Sequence, residues 1–295
     1  MLPAIVNRSE SVVHPIIMML SLSIMENPLP FTPSRAIFIA DAHLNQDDVH
    51  SLTFLKMAKK AALEDVPMFL LGDIFDLWFG AAGLTFRFQK PIIARLRELR
   101  SQGLRIAYVE GNRDFYLGRE HAGTTLDLVC GDNLRFTVGG LRVYLSHGDT
   151  VNKADLWYRF WKAISKNRFA NNLVSSLPGW FFLPIAARVE RKLKRYNRRH
   201  KESFPEEDCK RYATERFAEG SDIVVLGHFH QERLMPQNGD VVKLDCGSEA
   251  DMGANEKKKL VAVLPCWKES YRYFYIADDG TIGFRAFSPE APLIP

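Results

Sequence analysis

The chain has 295 residues, 46% of them hydrophobic and 25% charged, enough for one large globular domain or a domain carrying an insertion. A net charge of +4 is mild, so composition gives no argument for a nucleic-acid binder, and no nucleic-acid partner is expected. Four cysteines, Cys130, Cys209, Cys246 and Cys266, lie far apart with no C-x-x-C pair, which fits reduced thiols better than a disulfide framework or a zinc knuckle.

Residues 1–34 differ from the rest. The apolar run at 16–24 is far short of the ~20 residues needed to span a bilayer, and no small-residue cleavage site follows it. Pro28, Pro30 and Pro33 break any helix there. A disordered extension is expected, with Met25 an alternative start. From Ala36 onward, strand and helix patterns alternate. Val49, Leu52, Leu55, Ala58, Ala62 and Leu63 predict one amphipathic helix. Ile92, Ile93, Leu96 and Leu99 predict a second, with Arg95, Arg97, Glu98 and Arg100 facing water. Strand–helix–strand units imply parallel strands joined by right-handed crossovers. After His147 the pattern changes, and strands return at Asp222. The tail predicts antiparallel strands at 241–244, 259–264, 271–276 and 282–287, with a turn at Asp279-Gly280. The domain reading is an extension at 1–34, a main domain at 35–152 and 221–295, and a helical cap insertion at 153–220.

Five of the apolar runs end in the same kind of turn. Residues 36–40 lead into Asp41-Ala42-His43, and 67–71 into Gly72-Asp73-Ile74-Phe75-Asp76. Residues 104–109 lead into Gly111-Asn112-Arg113-Asp114, 141–145 into Ser146-His147-Gly148-Asp149, and 222–226 into Gly227-His228-Phe229-His230. A His-x-His pair alone fits surface or core histidines as well as ligands. The ordered set can supply two metal ions. Mixed Asp, Asn and His donors point to Mn²⁺, Fe or Zn²⁺, and two such ions can clamp a phosphate and activate water. Asp73 is the candidate bridge, since a carboxylate offers two anionic oxygens. No nucleophilic Ser or Cys is then required, and neither a G-x-S-x-G nor a Walker glycine loop is present. Arg113 would present a bidentate fork to a phosphoryl group. Asp76 and Asp114 are expected to bond neighbouring groups or cap loops, with metal or substrate contact the other reading, and Asp149 to orient a loop or histidine. His14, His50, His121 and His200 sit in no such loop and are expected to be ordinary surface histidines.

The insertion combines aromatic and basic residues. Trp157, Phe160, Trp161 and Ile164 form an apolar stripe, continued by Leu173, Leu177, Trp180, Phe181 and Phe182. Ile185, Val189, Leu193 and Tyr196 repeat at helical spacing among Arg188, Arg191, Lys192, Lys194, Arg195, Arg198, Arg199 and Lys201. Such a segment suits an anionic, lipid-bearing substrate or a membrane surface. Plain helical packing is the other reading.

The order D-x-H, G-D-x-x-D, G-N-x-D, H-G-D, G-H-x-H resembles that of the calcineurin-like metallophosphoesterases. Within them, the runs Gly72 to Gly80 and Gly111 to Gly118, with His147-Gly148-Asp149-Thr150 and the basic, aromatic insert, resemble the UDP-2,3-diacylglucosamine hydrolases of lipid A synthesis. The resemblance covers residues 36–276. It implies an α/β fold, a four-layer αββα sandwich with a helical cap insertion. It implies Asp41, His43, Asp73 and His230 on one metal ion, and Asp73, Asn112, His147 and His228 on the other. The implied cofactor is two divalent ions, Mn²⁺ by family preference. Asp73, Asn112, Arg113 and His228 would be catalytic, and Asn112, Arg113, Arg188 and Arg191 would bind substrate. The implied reaction is water attack on the α-phosphorus of UDP-2,3-diacylglucosamine, giving UMP and 2,3-diacylglucosamine 1-phosphate. The cap would take the acyl chains, and the protein would be cytoplasmic, peripherally associated with the inner membrane. Ala42 stands where the family often has leucine, Glu110 where histidine is common, and Phe229 where threonine is usual. These departures leave every ligand in place and bear on the exact substrate. A soluble nucleotide or phosphoprotein is the alternative substrate. A non-catalytic scaffold would show a missing ligand, and the modest charge argues against an exonuclease.

Overall fold

A computed structural model describes residues 29–45, 48–152, 167, 172, 176–197, 204–237 and 259–294. Along the chain, β1 (Ala36–Ile39), α1 (Asp48–Leu63) and β2 (Met68–Leu70) are followed by the short strand β3 (Trp78–Phe79). A 3-10 turn at Ala82–Leu84 leads to α2 (Gln89–Ser101) and β4 (Ile106–Val109). Then come β5 (Asp114–Phe115), α3 (Gly118–His121), β6 (Leu128–Cys130), β7 (Asn133–Val138) and β8 (Leu141–Ser146). The helices α4 (Gly179–Asn197) and α5 (Glu206–Ala218) precede β9 (Ile223–Leu226), β10 (Arg233–Pro236) and β11 (Leu260–Val263). The one-turn helix α6 (Trp267–Ser270), β12 (Arg272–Ile276) and β13 (Ile282–Ala286) close the fold.

The strands form two main sheets. One has the order β13-β12-β1-β2-β4-β6 and the other β10-β11-β9-β8-β7. In the first, β1, β2, β4 and β6 are parallel and β12 and β13 antiparallel. In the second, β8, β9 and β11 are parallel, with antiparallel edges at β7 and β10. Alternation along each strand supplies both faces. Phe38 and Phe69 meet Phe136, Val143, Val225 and Ala262 between the sheets, where Phe69 and Phe136 stack at 4.3 Å with planes 7° apart. Ile37, Ile39, Leu70 and Ile106 point the other way, under α1 and α2, while Val224, Leu226 and Val261 pack beneath α5. Burial on both faces is why these strands read as continuous apolar runs. The layering is helix, sheet, sheet, helix.

Several expectations change. Helix α1 buries Phe54, Met57, Ala58 and Ala61, while Val49, Leu52 and Leu63 stay exposed at 62%, 58% and 77%. The sequence carries two overlapping stripes, and the one holding Phe54 wins because that ring packs edge-on against Trp267, 5.5 Å away. The predicted strand at 259–264 is antiparallel to β10 but parallel to β9. That at 241–244 lies outside the described residues. Strand β7 was not anticipated. Leu29 and Phe31, within the expected disordered extension, pack against the inter-sheet core. Helix α5 falls within 153–220 yet buries Cys209, Tyr212, Ala213 and Phe217 on the second sheet. Trp157, Phe160, Trp161, Ile164, Leu173 and the side chains of Val189, Leu193 and Tyr196 lie outside the described residues. No helix among the described residues is long and apolar enough to cross a membrane.

His121 is not a surface histidine. It is 2% exposed, and its Nε2 accepts the indole N–H of Trp78 at 3.0 Å, so the ring is neutral. Burial, helped by the Arg97 charge, lowers its pKa from 6.5 to about 4. The unfolded chain therefore takes up a proton first as pH falls, and stability drops between those values by about 3 kcal/mol, at about 1.4 kcal/mol per unit. His121→Gln removes that part of the acid slope, since glutamine can still accept from Trp78. Urea denaturation of both proteins at about pH 7 and about pH 4.5 checks it, and identical slopes would assign the titration elsewhere. His50 is half-buried, with Nδ1 2.8 Å from the Tyr271 hydroxyl.

Candidate active site

The parallel strands of both sheets present their carboxyl ends at one edge, and the five polar turns meet there. Asp41, His43, Asp73, His228 and His230 all have positive φ, between 43° and 72°. Left-handed backbone at a non-glycine residue costs about 1–3 kcal/mol. Hydrogen bonds between turns hold it: Asp41 N to Gly72 O at 3.2 Å, His43 N to Asp73 O at 3.0 Å, and Leu44 N to Ile74 O at 2.8 Å. The glycines allow the turns to touch. A Cβ on Gly72 would lie 2.5 Å from Gly111 Cα and 2.7 Å from His147 Nδ1, and one on Gly111 2.3 Å from Asp73 Oδ1.

The donors converge in two groups. In the first, Asp41 Oδ1 lies 3.2 Å from His230 Nε2 and 3.7 Å from His43 Nε2, and the two Nε2 atoms are 3.2 Å apart. Asp76 Oδ1 sits 3.5 Å from His43 Nδ1, a carboxylate beside the ring on the side away from His230. In the second, His147 Nδ1 donates to Leu71 O at 2.7 Å. A carbonyl only accepts, which leaves the His147 Nε2 lone pair aimed at Asn112 Oδ1 (3.0 Å), His228 Nδ1 (3.3 Å) and Asp73 Oδ2 (3.8 Å). The groups touch, since Asp41 Oδ2 accepts from His228 N at 2.7 Å. Donor atoms of Asp41, Asp73 and His147 lie within 4.8 Å of one another.

Carboxylate, amide and imidazole donors gathered this closely in a buried site suit a cation. The titration behaviour agrees. Burial opposes ionisation of Asp41, but His230, His147 and His43 outweigh it and hold the carboxyl below the usual range. Burial drives the Asp73 carboxyl up, against the charges of His147 and Arg113. Burial disfavours a charged His147, yet Asp73, Asp41 and Asp149 raise its pKa. A proton is the smallest cation that relieves this cluster, and the oxygen and imidazole donors fit divalent ions.

Neighbouring groups shape the cluster. Arg113 N donates to Asp73 Oδ1 at 3.0 Å, its Nε lies 3.3 Å from Asp73 Oδ2, and Nη1 donates to Asp76 O at 3.3 Å. Asp114 Oδ2 accepts from Gly111 N, Asp73 N and the Tyr108 hydroxyl at 2.8, 2.9 and 2.8 Å. Asp114 thus caps both turns, as expected, and burial together with the Asp73 charge raises its pKa to about 7. Glu110 is buried and accepts from Leu117 N at 2.6 Å. Arg188 is exposed on α4, and the side chain of Arg191 lies outside the described residues. Cys266, which drew no functional reading from the sequence, donates its S–H to Asp41 O at 3.2 Å. The available signal was the strand device itself: 259–264 also ends in a turn, at Pro265-Cys266.

Helix α4 leans on the same region. Phe182 packs edge-on against Phe79 at 5.4 Å, and Phe79 stacks on Phe115 at 5.1 Å. Strands β3 and β5 pair in parallel, Trp78 with Asp114, beside Arg113. Trp180, Phe181 and Ile185 remain 78%, 50% and 47% exposed.

The family model for calcineurin-like phosphoesterases matches residues 34–232, which hold all five polar turns. The chain belongs to that family. Among curated relatives of this phosphoesterase, the UDP-2,3-diacylglucosamine hydrolase of Ralstonia nicotianae is 31% identical over 163 residues, 54% of this chain and 61% of that protein. That of Azotobacter vinelandii is 34% identical over 147 residues, covering 48% and 59%. That of Neisseria meningitidis serogroup B is 28% identical over 213 residues, covering 69% and 85%. The match thus spans about 60% of the first two relatives' length. Phosphoesterases of this family use divalent metal ions, and the His/Asp groups here are the candidates for holding them.

Proposed function

We propose that the chain hydrolyses the pyrophosphate of UDP-2,3-diacylglucosamine to UMP and 2,3-diacylglucosamine 1-phosphate. The observation that carries this reading is the contact of α4 with the β3–β5 pair. It puts the exposed apolar residues Trp180, Phe181 and Ile185 in the first half of α4 near the strand ends that bear Arg113 and Asp114, where a soluble substrate would give no use for them. Asp41, His43, Asp73 and His230 hold one divalent ion, Mn²⁺ by preference. Asp73, Asn112, His147 and His228 hold the other. Bound ions of this kind supply positive charge to phosphate oxygens and make water acidic enough to attack near neutral pH. The protein's own part is orientation. The Leu71 carbonyl fixes the tautomer of His147, Asp76 places negative charge beside the His43 ring, and the Asp114 cap fixes the turns of Asp73 and Gly111. Arg113 offers its guanidinium to the phosphoryl group whose charge grows during attack, and the exposed Arg188 adds positive charge on α4.

In this reading α4, within the helical cap expected at 153–220, takes the acyl chains and rests on the cytoplasmic face of the inner membrane. Each buried methylene contributes about 0.8 kcal/mol, and each arginine near anionic lipid about 1 kcal/mol. A Trp180→Ser/Phe181→Ser double variant is expected to raise KM for the diacylated substrate about tenfold or more while sparing a small phosphodiester. Its binding to anionic vesicles should weaken, as wild-type binding does when salt rises. Equal losses on both substrates would reduce the cap to architecture. The decisive assay incubates the protein with Mn²⁺ and UDP-2,3-diacylglucosamine and measures UMP. Absence of UMP alongside turnover of a small phosphodiester would move the substrate to a soluble nucleotide or phosphoprotein.

A further inference from the structure

We propose that His230, Cys266 and Glu269 form a thiolate-containing site for a soft divalent ion, Zn²⁺, beside the phosphoesterase centre. Zinc held there inhibits the enzyme by engaging His230. The inhibitory part rests on the functional reading above, whereas the binding part does not.

A ring nitrogen of His230, the Cys266 sulfur and a Glu269 carboxylate oxygen lie within 4.8 Å of one another. They come from two chain segments that the sheet brings together. Strands β9 and β11 are parallel neighbours, so the turn after β11 lands beside the His-x-His turn after β9. Helix α6 then places Cys266 and Glu269 three residues apart across a single turn, with Glu269 N bonded to Cys266 O at 3.2 Å. Trp267, fully buried under Phe54, anchors that turn. Cys266 is in no disulfide.

The donor types discriminate between metals. Mn²⁺ favours oxygen and imidazole, while a sulfur, nitrogen and oxygen set suits Zn²⁺. Donors around tetrahedral zinc, at about 2.0–2.3 Å from the ion, stand roughly 3.5 Å apart. The cluster must therefore tighten by about 1.3 Å at most, and the exposed Glu269 has the freedom to do it. On binding, the thiol gives its proton to solvent and exchanges its bond to the Asp41 carbonyl for the metal. Solvent fills the fourth position.

The test titrates the metal-free full chain with Co²⁺, a zinc surrogate whose bond to a thiolate produces an intense near-ultraviolet charge-transfer absorption. The expected result is one such band per chain, lost in Cys266→Ser and requiring about tenfold more Co²⁺ in Glu269→Gln, a surface change that leaves folding intact. Zn²⁺ should abolish the band. It should also inhibit the Mn²⁺-loaded wild type at about tenfold lower concentration than either variant. No band, a band that persists in Cys266→Ser, or equal zinc sensitivity in all three proteins would overturn the proposal. The band needs no turnover, so its appearance without UMP formation would retain the site and discard the substrate assignment.

Discussion

Asp73→Ala is expected to abolish turnover and to lower bound metal below two ions per chain. Loss of a partner outside the coordination sphere typically costs 10–100-fold, roughly. Asp73 is assigned to both ions, so its removal should exceed that, by about three orders of magnitude or more in kcat. The structure adds a second reason. Asp73 is 2% exposed and ties Arg113 N and Nε to the site, so its loss also releases the guanidinium. Turnover measured with metal content by elemental analysis checks this. Near-normal rates with two ions bound would sink the two-metal assignment.

Arg113→Ala is expected to lower kcat/KM by about 2–4 kcal/mol, roughly 30- to 900-fold, with both ions retained. The guanidinium is held by Asp73 Oδ2 on one side and the Asp76 carbonyl on the other, a preorganised charge rather than a mobile one. Arg113→Lys keeps the charge but not the fork, so only partial recovery is expected. Metal loss in Arg113→Ala with kcat/KM unchanged at saturating Mn²⁺ would make Arg113 a support for Asp73 rather than a phosphate contact.

Much of the site was legible because its signals are local. An apolar run ending in Gly-Asp, Gly-Asn or Gly-His is a strand followed by a tight polar turn, and five of them in order specify where donors can gather. The seven expected donors, Asp41, His43, Asp73, Asn112, His147, His228 and His230, do converge. Glycine at 72 and 111 was readable as a turn residue. Only the assembled turns show that the two glycines touch, and that a Cβ at either would strike the neighbouring turn.

Helix α2 shows the strength of a sequence pattern, and α1 its limit. In α2 a single stripe, Ile92, Ile93, Leu96 and Leu99, competes with charges and is buried. In α1 two apolar stripes share one helix, and burial went to the one whose phenylalanine meets Trp267, more than 200 positions later in the chain. Periodicity states that a face is apolar, but the partner decides which face. The same holds for Leu260–Val263, whose β-branched character predicts a strand but not its parallel pairing with β9. His121 and Cys266 carried no local mark of their roles. Burial against Trp78 and the bond to the Asp41 carbonyl arise from segments distant in sequence. The sequence by itself determined the strand ends, their donors and the order of the turns, because backbone preference and side-chain alternation act over a few residues. The tertiary structure decided which strands share a sheet, which histidine nitrogens face the cluster and which thiol lies beside it. Those follow from packing and hydrogen bonding between elements that the chain joins only when folded.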